Sequence, residues 1–196
     1  MASTPRITPE EYLALPDHDR FELVDGHLVE VNMSKESSWV GGELYGRLRD
    51  VVKRSDLGYV WPADNLYRCF PSDPAQIRKP DVSFIRRERM NWDQPDEGFV
   101  GIAPDLVAEV VSPNDLAYEI DEKVEDYLEA GVRLVWVVHP LLRMIRVHRA
   151  DGSITVLSER ENLTGEDVIL GFVCPVAALF PTTTKTPSQP PVGAND

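Results

Sequence analysis

Between residues 106 and 138 the chain writes an apolar strand, an amphipathic helix and a second apolar strand in succession. Few architectures accept that order. Leu106 to Ser112 follows the punctuation of Pro104, a helical pattern from about Leu116 to Ala130 is closed by Gly131, and Arg133 to Val138 is almost continuously apolar. Strands of this kind are buried on both faces, and joining two of them through a helix makes a right-handed crossover within one sheet. The expected fold class is therefore α/β, a central mixed β-sheet flanked by helices, with hairpins supplying antiparallel edges.

The flanking sequence supplies those hairpins and helices. Thr8-Pro9-Glu10-Glu11 has the order of a capping box with proline at the first helical position, predicting a short helix through about Leu15 that Pro16 ends. Phe21 to Val24 and His27 to Val31 flank Asp25-Gly26, a pair suited to the positive φ angles of a two-residue turn, so an N-terminal β-hairpin is expected. Val40, Leu44, Leu48, Val51 and Val52 recur at helical spacing between about Ser37 and Ser55. Strands are expected at Tyr59 to Pro62, Leu66 to Phe70 and Asp81 to Ile85, with a long polar loop over residues 86 to 104. A second hairpin runs from Leu142 to His148 and Ser153 to Leu157 across Asp151-Gly152, and Val168 to Phe180 gives a last strand-like piece and a short helix near Pro175. Residues 1–180 read as one domain, and 181–196, which offer almost nothing to bury, as a disordered tail.

A hydrophobic content of 42% in 196 residues is enough for a core without disulfides. Two distant cysteines, Cys69 and Cys174, form no zinc spacing, and no run approaches the ~20 apolar residues that cross a bilayer. The expected setting is a cytoplasmic protein with no membrane partner. A net charge of −13 opposes strong non-specific binding to DNA. The charge is uneven, however: Arg78 to Arg89 holds five cations against two acids, whereas Asp105 to Glu129 holds nine acids against Lys123 alone. Arg78, Arg86, Arg87 and Arg89 are the candidates for nucleic-acid contact, with solvated surface charge as the plain alternative.

The chemistry centres on two acids. Strand alternation puts Asp81 on a face with Ser83 and Ile85, and Glu109 on a face with Val107 and Val111. An ionised carboxylate in the middle of Leu-Val-Ala-Glu-Val-Val is costly unless a cation or an arginine partners it, and either remains open from spacing alone. His18, His27, His139 and His148 have no ligand-like spacing, no nucleophile elbow or phosphate-binding loop is present, and Trp39, Trp61, Trp92 and Trp136 read as core or interface anchors.

Lys79-Pro80-Asp81-Val82-Ser83-Phe84-Ile85, Ala103 to Pro113 around Glu109, Lys123 with Tyr127, and Val135 to Pro140 together resemble the Uma-type family of putative restriction endonucleases within the PD-(D/E)XK superfamily. The resemblance extends through Arg20 to Gly26 and Leu163 to Phe180, so it covers residues 8 to 180. It implies a restriction-endonuclease-like fold and a metal-dependent DNA endonuclease. Asp81 and Glu109 would ligate Mg²⁺ or Mn²⁺ with the Val110 carbonyl, Glu22 would add a carboxylate, and Lys123 would be catalytic. Two positions depart from pattern: Val111 stands where the superfamily lysine usually follows the glutamate, a place the family gives instead to the following helix and Lys123, and Ser37 stands where relatives carry histidine. The rival expectation is a catalytically weak binding or assembly module that keeps the carboxylates. Exposed hairpin strands and duplex cleavage both favour a homodimer.

Overall fold

A computed structural model describes residues 6–93 and 98–182 of the chain. The expected disordered tail lies, from residue 183 onward, outside the described residues. The Thr8 hydroxyl accepts from the Glu11 amide and the Glu11 carboxylate accepts from the Thr8 amide, so the capping box opens helix α1 (Pro9–Leu13) as read. Strands β1 (Phe21–Val24) and β2 (His27–Glu30) pair antiparallel across Asp25 and Gly26, whose φ angles are 51° and 75°. A Cβ on Gly26 would also lie 2.6 Å from that of Arg6, so the turn needs glycine twice over.

Helix α2 (Lys35–Arg54) leads into strand β3 (Gly58–Pro62). Then follow β4 (Val82–Arg86), β5 (Leu106–Val110), helix α3 (Ala117–Glu129), β6 (Leu134–His139), β7 (Met144–Arg149) and β8 (Ile154–Ser158). These six strands make one sheet in sequence order, antiparallel except for β5 against β6, and α3 is the crossover of that parallel pair. The mixed sheet expected from residues 106–138 is present. A small antiparallel pair, β9 (Asn162–Thr164) with β10 (Val173–Pro175), precedes a 3₁₀ turn at Val176–Leu179; the sequence reading missed β9.

Alternation sorts the strands into two cores. Val40, Leu44, Leu48 and Val52 of α2 pack on Val82, Phe84, Leu106, Ala108, Val110 and Trp136. On the other face Ile120, Val124 and Tyr127 of α3 pack on Ile85, Val107, Val135 and Val137. The segment Leu66 to Phe70, expected as a strand, makes only isolated bridges at Tyr67, with Arg78 and Val100. Prolines at 71, 74 and 80 deny it donors for a regular ladder, and it lies over the α3 face, where the Tyr67 hydroxyl meets Ser83 Oγ at 2.6 Å. The long polar loop begins with a 3₁₀ turn at Arg87–Arg89. No helix among the described residues is long and apolar enough to cross a membrane.

Candidate active site

The register of β4 against β5 sets Val82 opposite Ala108, so Asp81, one residue before β4, falls across from Glu109. Asp81 carries the pairing one step further with its side chain: Oδ2 accepts the Val110 amide at 2.6 Å. Glu109 sits on the α3 face and is 4% exposed. Its two oxygens are taken by two residues one helical turn apart on α3, the Tyr127 hydroxyl donating to Oε1 at 2.7 Å and Lys123 Nζ to Oε2 at 3.3 Å.

Glu22 reaches the same place from β1. Leu23 exchanges both backbone hydrogen bonds with Ile77, at 3.0 and 2.8 Å, which fastens the hairpin to the segment before β4 and turns Glu22 inward. Its carboxylate, 1% exposed, accepts from the Lys79 amide at 2.9 Å and Arg78 Nη1 at 3.0 Å, and lies 3.1 Å from Lys123 Nζ. Arg78 continues to Asp126 Oδ2 at 2.5 Å, which the Gln76 amide also contacts at 2.6 Å. Lys123 therefore stands between Glu22 and Glu109, and Arg78 between Glu22 and Asp126.

The acids are unequally compensated. Burial pushes the Asp81 carboxyl up to about 6, against the lowering effect of the Val110 amide and Lys123. Burial likewise drives Glu109 upward, to about 7, with Asp81 and Glu22 adding to the rise and Lys123 opposing it. Glu22 is just as buried, yet Lys123, Arg78 and the Lys79 amide together hold it below the ordinary glutamate range. Burial acts against the charge of Lys123, but Glu109 and Glu22 outweigh it and raise its pKa. Asp81 and Glu109 thus lack positive charge that Glu22 already has. Both open on a pocket of about 120 Å³ lined also by Val29, Asn32, Asp115 and Tyr118.

Of the residues singled out in the sequence, Glu22, Asp81, Glu109 and Lys123 converge here. Arg78 comes with them, but its side chain is 5% exposed and engaged by Glu22 and Asp126, so it is internal wiring where a nucleic-acid contact was expected. Arg86, Arg87 and Arg89 lie at the far end of β4. Arg86 and Arg89 pair with Asp105, and Arg87 with Asp56, since acids brought in from other segments answer that cation run. Ser37 has structural work: with Ser34 it closes the capping box of α2, and its hydroxyl meets Ser112 Oγ at 2.8 Å beyond the end of β5. Nothing in the sequence assigns a role to the Tyr127 hydroxyl, Gln76 or the Lys79 amide, and Asp126, an ion-pair candidate for Lys123 by helical spacing, pairs with Arg78 instead. Of the first three, only Tyr127 carried a signal, four residues after Lys123 on the helix stripe.

Comparison with known proteins agrees with the fold. The Uma2 family, described as "Putative restriction endonuclease", matches residues 9–177. A crystal structure described as a putative nuclease belonging to DUF820, from Anabaena variabilis ATCC 29413, is similar with a TM-score of 0.76 at 20% identity, covering 89% of this chain and 97% of that one. At that identity the likeness shows the fold. No curated protein matches the chain.

Proposed function

The chain belongs to the Uma2 family of putative restriction endonucleases, and from that premise we propose that it is a divalent-metal-dependent DNA endonuclease. The observation that carries the reading is the facing pair of half-buried Asp81 and buried Glu109, carboxylates raised to about 6 and about 7 beside Lys123. Among the described residues no group of three or more His, Cys, Asp or Glu is placed to hold a metal ion by itself, so the donor set is leaner than an all-protein cage. Two carboxylates with the Val110 carbonyl fit Mg²⁺ or Mn²⁺, which keep waters and accept substrate phosphate as further ligands. The pocket lining, with seven acids against Arg78, Lys79 and Lys123, repels phosphate until a cation offsets it.

A cation held by Asp81 and Glu109 would polarise the phosphate and acidify a water. Asp81 and Glu109 hold the reacting centre in place, Asp81 through one oxygen because the other is committed to Val110. Tyr127 and Lys123 fix the rotamer of Glu109. The raised pKa of Lys123 keeps it an ammonium, suited to donating to the scissile phosphate and neutralising its growing charge rather than removing a proton. In the hydrolysis, the water oxygen joins phosphorus and gives up a proton as the phosphorus–oxygen bond to the leaving sugar breaks, and the sugar oxygen takes up a proton.

Plasmid cleavage with Mg²⁺ or Mn²⁺ tests the reading. Lys123→Ala is expected to keep fold and metal affinity while losing cleavage, and adding Val111→Lys to recover part of it. Calorimetric titration with Mn²⁺ should show binding lost in Asp81→Ala with Glu109→Ala; equal binding by the wild type would sink the proposal. The acidic lining and the structural use of Ser37 favour a second reading, a non-cleaving binding module, in which metal binds but no variant changes an absent cleavage. A homodimer is part of the first reading; the outer strand β8 exposes Ile154 and Val156, at 59% and 55%, for such pairing.

A further inference from the structure

The free edge of β3 carries a second groove, of about 460 Å³, opposite in charge to the acidic pocket. Helix α2 packs on the Val60 side of the strand, and Tyr59 and Trp61 alternate to the other side. Trp92 from the long loop closes on both rings, with centroids 5.1 Å from Tyr59 and 6.4 Å from Trp61, and Tyr59 lies 5.8 Å from Trp61. Trp92 nonetheless remains 60% exposed. Apolar packing alone gives no reason to leave a ring cluster open to water.

The opposite wall is basic. Arg49 and Lys53 stand one turn apart on α2, both exposed, and neither has an acidic partner among the described residues, whereas Arg47 on the same helix is held by Glu43. The one acid in the lining, Asp56, is taken by Arg87, whose guanidinium lies 5.5 Å over the Tyr59 ring. In a chain of net charge −13, unpaired cations facing exposed rings are complementary to a polyanion that carries flat bases. Paired bases in a duplex hide their faces, so the rings favour a strand whose bases are unstacked.

We infer that this groove binds a single-stranded nucleic-acid segment, Arg49 and Lys53 taking phosphates and Trp92, backed by Tyr59 and Trp61, stacking an unpaired base. The inference rests on the nuclease reading for its substrate class and adds the form of the substrate. The groove runs along β3 from Gly58, opposite Arg86, to Trp61, opposite Ser83, so its Trp61 end comes within two residues of Asp81 on the same sheet face.

The test is fluorescence anisotropy at low salt with the full chain carrying Asp81→Asn, titrated against a labelled oligothymidylate and a duplex of equal length. The single strand should bind more tightly. Trp92→Ala should weaken that binding roughly tenfold and Trp92→Phe should retain most of it, as stacking requires. Arg49→Glu with Lys53→Glu should weaken it further and flatten the slope of log K against log salt by about 1.4, the signature of two lost phosphate contacts on a single strand. Thermal unfolding checks that each variant is folded. Unchanged affinity in these variants, equal binding of the duplex with Trp92 indifferent, or no binding at all would each overturn the inference. A parallel plasmid assay separates the two readings: groove-dependent strand binding without wild-type cleavage leaves the groove standing and removes the nuclease. Wild-type cleavage with groove variants that bind as before does the reverse.

Discussion

The two faces of the central sheet use the same strands and differ in what those strands are asked to hold. Under α2, the inward residues of β4, β5 and β6 are apolar without interruption, from Val82 and Phe84 through Leu106, Ala108 and Val110 to Trp136 and Val138. Under α3, neighbouring positions introduce Glu109 and Ser83, and Asp81 and Glu22 close on them. One face depends on shape and the other on balanced charge. The first gains stability from burial that needs no partner, whereas the second retains two carboxylates whose ionisation opposes folding. Stability and chemistry are therefore separable by face, and substitutions can test the separation.

The largest effect belongs to the apolar face. Trp136 is fully buried and its ring stacks 5.7 Å from Phe172, so Trp136→Ala should destabilise by roughly 3–5 kcal/mol in urea unfolding. A loss below ~1 kcal/mol would mean that face is not the main source of stability. On the charged face, Arg78→Ala strands Glu22 and Asp126 and should cost about 3 kcal/mol at pH 8. Glu22 is held below its usual range in the folded chain, so its share of stability is present above the unfolded pKa and lost on acidification. The deficit of Arg78→Ala should accordingly shrink toward pH 4, and a pH-independent deficit would point to lost packing.

Asp81 and Glu109 have the opposite sign. Burial raises both, so between about pH 4 and 7 the folded chain holds protons that the unfolded chain releases, and stability from these groups falls as pH climbs through 6 and 7. Asp81→Asn with Glu109→Gln, without divalent cation, should raise the melting temperature at pH 8 by roughly 5 °C and do much less at pH 5. Equal shifts at both pH values would show that their charge is already neutralised within the fold. The smallest effect is expected from Tyr127→Phe, which removes one buried donor from Glu109 and should cost about 1 kcal/mol. Because that hydroxyl lowers the Glu109 pKa, its loss should also weaken Mn²⁺ binding more at pH 6 than at pH 8.

Much of this contrast could be read from the chain, because it is written in periodicity. Leu106 to Val138 disclosed the crossover, Asp25-Gly26 the hairpin, and alternation the face shared by Asp81 and Glu109. What alternation could not convey is contact between distant segments. In the sequence only the family resemblance draws Glu22 to the site, since its neighbour Arg20 offers a nearer partner; in the fold Arg20 is taken by Glu30, and the Leu23–Ile77 bridge turns Glu22 inward. The run Arg78 to Arg89 looked like one basic surface, yet its first member is buried and Arg86, Arg87 and Arg89 meet acids from far along the chain. The two groove cations without acidic partners among the described residues, Arg49 and Lys53, stand on α2, where single exposed arginines and lysines resemble any solvated helix face until β3 and Trp92 are placed beside them.

The hydrogen bond from the Val110 amide to Asp81 gives that aspartate two employments, one in joining β4 to β5 and one toward the pocket. Lys123 joins elements by charge alone: its ammonium touches Glu22 of β1 and Glu109 of β5 and takes no part in a strand ladder. A lineage abandoning cleavage could shed the lysine once Glu22 and Glu109 are neutralised with it and keep its strands in register, but would still need an acceptor at position 81. Among chains of this fold, an aspartate there testifies to assembly, and the lysine on the crossover helix is the better witness to a living enzyme.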